Sequence, residues 1–238
     1  MKLDFIVLLA IFGIVLCFVT AGVLLTFNKN KKSPQRILAA YFFVVGCGLI
    51  VAAMIFSNSI IYYPHFFRTA LIFAYLYPPL AYLYVRQNIN KKSFRAADWL
   101  NFLPGLFYII DFFPFFILPA KEKIPIIDFY LSNQNNLMAH GEGWISAPWF
   151  HLLFRNIISL FYCVLSVRLL LGLRKVKQKS FFLENAKTIQ WLWIFVILQF
   201  LFFSPSIVLV LVDKMQYSFT VIVLPLMVMS CVTCVILF

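Results

Sequence analysis

Leu76-Tyr77-Pro78-Pro79-Leu80-Ala81-Tyr82-Leu83-Tyr84-Val85-Arg86 leads into a polar run from Gln87 to Asp98 that carries Lys91, Lys92 and Arg95, and then into Trp99-Leu100-Asn101-Phe102-Leu103-Pro104. Two apolar runs are thereby joined through a short, strongly basic connector. A helix crossing lipid must satisfy its backbone internally, and Pro78 and Pro79 each remove one N–H from that ladder, a loss that neighbouring helices have to make good. The double proline therefore predicts a bundle and not a lone anchor. Tyr82 and Tyr84 followed by Arg86 read as an interfacial aromatic belt running into a cytoplasmic loop, because amphipathic rings sit at headgroup level and cationic loops stay inside.

The rest of the chain has the composition this stretch implies. Of 238 residues, 63% are hydrophobic and 12% charged, with a mean hydropathy of +0.94, whereas a globular domain is nearer half apolar and about a quarter charged. The chain reads as an integral membrane protein whose first partner is the lipid bilayer. A net charge of +12 would suggest nucleic acid in a soluble protein, but retained cytoplasmic loops produce the same excess, so no direct nucleic-acid binding is expected. Cys17, Cys47, Cys163, Cys231 and Cys234 all lie in apolar runs, which argues against a disulfide framework.

Working outward, seven apolar runs predict an all-α, polytopic fold in a single domain, 1–238, with helices at about 5–27, 37–56, 67–85, 99–119, 149–173, 188–212 and 217–238. Phe5 to Phe27 holds 23 residues without a charge, enough to cross a core of about 30 Å and too long for the apolar part of a leader. Thirteen Lys and Arg fall in connectors one, three and five and five on the opposite side. That bias places the N-terminus outside and the C-terminus in the cytoplasm. Ala120 to Pro148 is the one long connection, and by its length the default place for a signal to act, with Asp128 and Trp144 as candidate sensing residues.

Asp111 and Arg155 are the sharpest chemical signal, because an ionisable group at membrane depth is costly and faces a partner or a water-filled cavity. Counted from their expected outer helix ends they lie roughly 12 Å and roughly 9 Å deep, so they are expected to meet, either as a plain lock between helices or as a ligand-binding or proton-linked site. Arg168 is expected to snorkel to the interface. Pro78, Pro79, Pro114, Pro205 and Pro225 are the candidate helix kinks. Cys231-Val232-Thr233-Cys234 matches a redox spacing but sits in an apolar helix, where packing is the simpler account. His65, His140 and His151 share no ligand spacing, and no metal or cofactor is expected. There is no nucleophile elbow, phosphate-binding glycine loop or paired-aspartate signature, so no catalytic activity is expected. The prolines also fit the broken helices of a transporter, and a purely structural anchor is a third class.

Four motifs in order resemble one family over nearly the whole chain. Tyr77-Pro78-Pro79-Leu80-Ala81-Tyr82-Leu83-Tyr84-Val85-Arg86 looks like a Gly-Pro-Leu-Leu-Tyr-Leu-Tyr run, and Asn101-Phe102-Leu103-Pro104 like His-Phe-Leu-Pro with Asn for His. Pro119-Ala120-Lys121-Glu122-Lys123 is similar to Pro-x-Lys-Glu-Lys, and Lys179-Ser180 through Glu184 to Trp191-Leu192 to a basic loop before Trp-Leu. The sequence resembles the N-terminal membrane region of bacterial membrane-anchored AraC-type helix-turn-helix transcription regulators. The resemblance implies a sensor module for an unknown ligand, working through a cytoplasmic effector or as a homodimer. In that family a DNA-binding domain follows the seventh helix, and these 238 residues hold no counterpart to it.

Overall fold

The computed structural model describes residues 5–28, 33–91, 93–132, 143–147, 150–176, 184–212, 228 and 231–235. Every regular element among them is helical: α1 (Phe5–Thr26), α2 (Pro34–Phe56), α3 (Thr69–Asn90), α4 (Leu103–Asp111), α5 (Phe113–Ile117), α6 (Ala120–Ser132), α7 (Phe150–Val176) and α8 (Ala186–Val212). Short 3-10 helices at Ser59–Tyr62, Pro64–Phe66 and Ala96–Phe102 make the turns between them. Among the described residues, three helices are long and apolar enough to cross a membrane: α1, α2 and the stretch Leu153–Leu173 of α7. The expected seventh run, with Pro225, lies mostly outside the described residues; 231–235 are helical.

Helices α1, α2, α3, α7 and α8 pack each against the next, and α4 lies on α3. Ser33 caps α2 ahead of Pro34, whose missing N–H costs nothing in the first turn. Gly46 brings α2 close to α1, since a Cβ there would meet the Phe18 ring at 3.2 Å. Helix α3 continues through Pro78 and Pro79 without a break, both rings being buried. It also outruns its expected end at Val85. Gln87 is buried, Asn88 Nδ2 donates to Tyr84 O at 2.9 Å, and the helix stops where Lys91 turns left-handed at φ 51°.

The connector beyond α3 is clamped at Asp98. Arg86 Nη1 and Nη2 donate to its two carboxylate oxygens, both at 2.6 Å, and the Arg95 N–H adds a bond of 2.8 Å. Asn101 Nδ2 donates to Asp98 O at 2.8 Å while the Tyr162 hydroxyl of α7 donates to Asn101 Oδ1 at 3.0 Å. The connector is thus fastened to both α3 and α7.

The expected fourth run, 99–119, is not one helix. Trp99 falls in the 3-10 turn, and the remainder divides into α4 and α5 at Phe112. Even unbroken, Leu103 to Ile117 would rise roughly 22 Å, short of a hydrocarbon core of about 30 Å. Within the long connection Ala120–Ser132 form α6, whose buried face is Lys123, Ile127 and Tyr130, spaced four and three apart as a helix requires. Pro125 lies inside α6, where it has no N–H to give to the carbonyl of Lys121 four residues back.

Candidate functional site

The break at Phe112 follows from Pro114, which has no N–H to give to the carbonyl of Ile110 four residues back. Trp144 replaces that donor from far along the chain. Its indole Nε1 donates to Ile110 O at 2.9 Å and its backbone N–H to Asp111 O at 3.2 Å. Residues 143–147 are thereby laid across the open end of α4.

The same strand of loop closes on the Asp111 side chain, which is fully buried at 0% exposure. One carboxylate oxygen, Oδ1, accepts from the Ile145 N–H at 2.6 Å and the Ser146 N–H at 3.3 Å. The other, Oδ2, accepts from the Ser146 hydroxyl and lies 2.7 Å from His151 Nε2 at the start of α7. Four donors and no acceptor face this group, a set suited to the carboxylate form. Gly143 is required by the same closeness. A Cβ there would come within 2.9 Å of Asp111 Oδ2.

His151 carries the contact into the bundle. With Nε2–H directed at Asp111, its Nδ1 stands 3.0 Å from the Tyr75 hydroxyl of α3, which is also 3.0 Å from His151 O. Neutral imidazole accepts the Tyr75 proton at Nδ1; imidazolium donates from Nδ1 to Tyr75 Oη while Tyr75 donates to the carbonyl. Both protonation states use the same heavy-atom positions. Phe107, Tyr108, Phe112 and Phe150 wall the imidazole, with ring centroids 4.8–5.6 Å away. The arrangement can hold a proton within a chain linking loop 143–147, α4, α7 and α3.

Of the residues singled out in the sequence, Asp111 and Trp144 meet here. Arg155, one turn beyond His151, makes no ion pair with Asp111; its Nη2 donates to Asn156 Oδ1 at 3.3 Å. Asp128 is exposed on α6, away from these contacts. Pro78 and Pro79 lie on the part of α3 that follows Tyr75, Pro205 lies within α8, and Pro114 creates the opening that Trp144 fills. Sequence reasoning missed Gly143, Ser146 and the pairing of His151 with Tyr75. The signal for His151 was its spacing of four from Arg155, which puts both on one face of α7.

His65 and Lys123 form a second cluster. Lys123 is fully buried, its Nζ 3.0 Å from His65 Nδ1 and 2.9 Å from Phe116 O, with the Phe115 ring centroid at 5.2 Å. Burial pushes its amine below the usual lysine range. Arg68, left-handed at φ 69°, bonds the Tyr130 hydroxyl and lies over that ring, while its carbonyl accepts from Tyr108 at 2.9 Å. Together these contacts hold α6 against the beginning of α3. His140 lies outside the described residues, and no three His, Cys, Asp or Glu side chains converge among those described.

No family model, curated protein or solved structure matches the chain. The site therefore rests on its own geometry.

Proposed function

We propose that the chain is the input module of a membrane-embedded sensor, with seven spans of which the fourth, α4 with α5, crosses as a broken and shortened element, its N-terminus outside and its C-terminus in the cytoplasm, where a transcription-regulating partner or domain receives the signal. The resemblance to membrane-anchored AraC-type regulators points the same way. The observation that carries the reading is the buried Asp111 carboxylate, which fastens residues 145 and 146 to His151 of α7 and, through Tyr75, to α3. A signal that binds one closure of this loop better than another shifts the bundle by that difference in affinity, and by no other route.

The test joins a DNA-binding reporter domain after Phe238 and compares the parent with Asp111→Asn and His151→Gln. Reporter output is expected to change in both. Unchanged output, together with solute flux through proteoliposomes of the bare chain, replaces the sensor reading with a transporter. Orientation is checked separately: a membrane-impermeant thiol reagent should label Asn135→Cys in intact cells and spare Asn90→Cys, and the reverse pattern overturns the topology.

A further inference from the structure

Arg155 is a buried cation that pairs with no anion among the described residues. It is 8% exposed and lies within the membrane-capable stretch Leu153–Leu173 of α7. Its Nε has no hydrogen-bond partner, and Nη2 reaches only the neutral Asn156 Oδ1 at 3.3 Å. Arg86 shows what a satisfied guanidinium looks like in the same molecule, with two bonds of 2.6 Å to one carboxylate. Asp111, the acid of α4 that meets His151 one turn earlier on α7, is already occupied by its four donors. Arginine keeps its charge in every protein environment, and an unpaired charge at membrane depth is among the costliest groups a fold can hold.

The surroundings suit a polar guest. Arg155 stands between His151, which meets Tyr75 of α3, and Ser159, which lines a cavity with Pro78 of α3, so its face of α7 is the one turned toward α3. One turn further along the same α7 face, Ser159 and Tyr162 join Pro78 of α3 and Gln199 of α8 around a cavity of about 10 Å³, room for about one water. Gln199 is buried and its Oε1 has no partner. A polar seam thus runs down the bundle from Arg155, and it holds no acid among its described residues.

We propose that Arg155 anchors a binding site for a small oxyanion, a carboxylate or phosphate group, held by its planar fork between α3 and α7. Two parallel N–H···O bonds to such a group neutralise the charge and use donors now idle. The site deepens the sensor reading by naming the chemical class of the signal, and relies on that reading only for its consequence, not for binding.

The test uses the full chain in nanodiscs of zwitterionic lipid, with thermal unfolding followed at constant ionic strength while chloride is exchanged for acetate, phosphate or octanoate. The midpoint is expected to rise saturably, by about 5–10 °C at a hundredfold excess over Kd. A response to acetate or phosphate identifies a soluble source and a response to octanoate alone a membrane-borne one. Arg155→Gln should abolish the rise and be at least as stable as the parent without oxyanion, and Arg155→Lys should weaken binding about tenfold. Equilibrium binding of radiolabelled phosphate and octanoate to the parent decides the matter if Arg155→Gln fails to fold. No saturable response in the parent, or an equal one in Arg155→Gln, overturns the site. Binding without any change in reporter output keeps the site and overturns the sensor reading alone.

Discussion

The two ends of α3 fasten their neighbours with the same chemistry under different rules. At the Asn90 end, Asp98 is held by Arg86, twelve residues away, in a bidentate pair whose side chains are 18% and 6% exposed. At the other end, Asp111 is held by a loop and a histidine 34 to 40 residues away, at 3% and 0% exposure for His151 and Asp111. The first pair is local, permanently charged on its cationic side and short in loop closure. The second is long-range and can gain or lose a proton at His151 without moving. One end is built as a fixed joint and the other as a joint that can be set.

The largest effect should fall on the adjustable end. Asp111→Asn places an amide N–H₂ against the Ser146 and His151 donors and is expected to cost about 3–5 kcal/mol, read by thermal unfolding in nanodiscs. Hydrogen exchange should rise first across 143–147. A loss smaller than that of Asp98→Asn would reverse the comparison.

Asp98→Asn should cost about 2–3 kcal/mol, as a charge-assisted pair that is partly wet. The hydrogen bonds from Arg86 hold the Asp98 carboxyl below its ordinary range. A depressed folded-state value means that its stabilisation is complete above the unfolded value of about 3.9 and is lost as pH falls through the folded one. Acid titration of stability should therefore lose one component in Asp98→Asn. An unchanged acid limb would show that the joint contributes nothing.

Gly143→Ala should cost about 1–3 kcal/mol, because the new methyl group pushes the carboxylate off its donors. Its effect should vanish in the Asp111→Ala background, where the oxygen it meets is gone. Additive losses would mean that the methyl group strains the loop itself.

Trp144→Phe keeps the ring and removes the indole donor, for an expected loss of about 0.5–1 kcal/mol. Pro114→Ala restores a backbone N–H that can reach Ile110 O, so the Trp144→Phe penalty should shrink in that background. Equal penalties with and without Pro114 would detach the tryptophan from the helix break.

The fold was legible where length and hydropathy act alone. The first two apolar runs appear within a few residues of their expected limits, since Ser33-Pro34 and the polar turn after Phe56 mark the ends of α2. The fourth run was read as one rod because composition does not show that Pro114 opens the chain at Phe112. Asp111 stood out as an acid in an apolar run, but its partner was chosen by counting depth along straight helices. The helix that holds it ends at Asp111 itself, and the loop folded back across that end brings His151, not Arg155, to the carboxylate. Residues 120–132 looked like loop because Lys121, Glu122, Lys123 and Pro125 crowd together, although the spacing of Lys123, Ile127 and Tyr130 was helical.

The donor for the Ile110 carbonyl comes from a residue 34 positions later, and this sets an order on biosynthesis. At about 5–20 residues per second, a ribosome needs roughly 2–7 s to make those 34 residues after the break has been synthesised. The proline that opens the ladder is therefore made well before the tryptophan that closes it, and the Asp111 carboxylate waits slightly longer for His151. During that interval the Ile110 carbonyl lacks the donor that Trp144 later supplies, a state that lipid disfavours. The arrival of the beginning of α7 is then the event that closes the end of α4, so a nascent chain arrested before Ser146 should expose 103–117 to proteases that the finished protein resists.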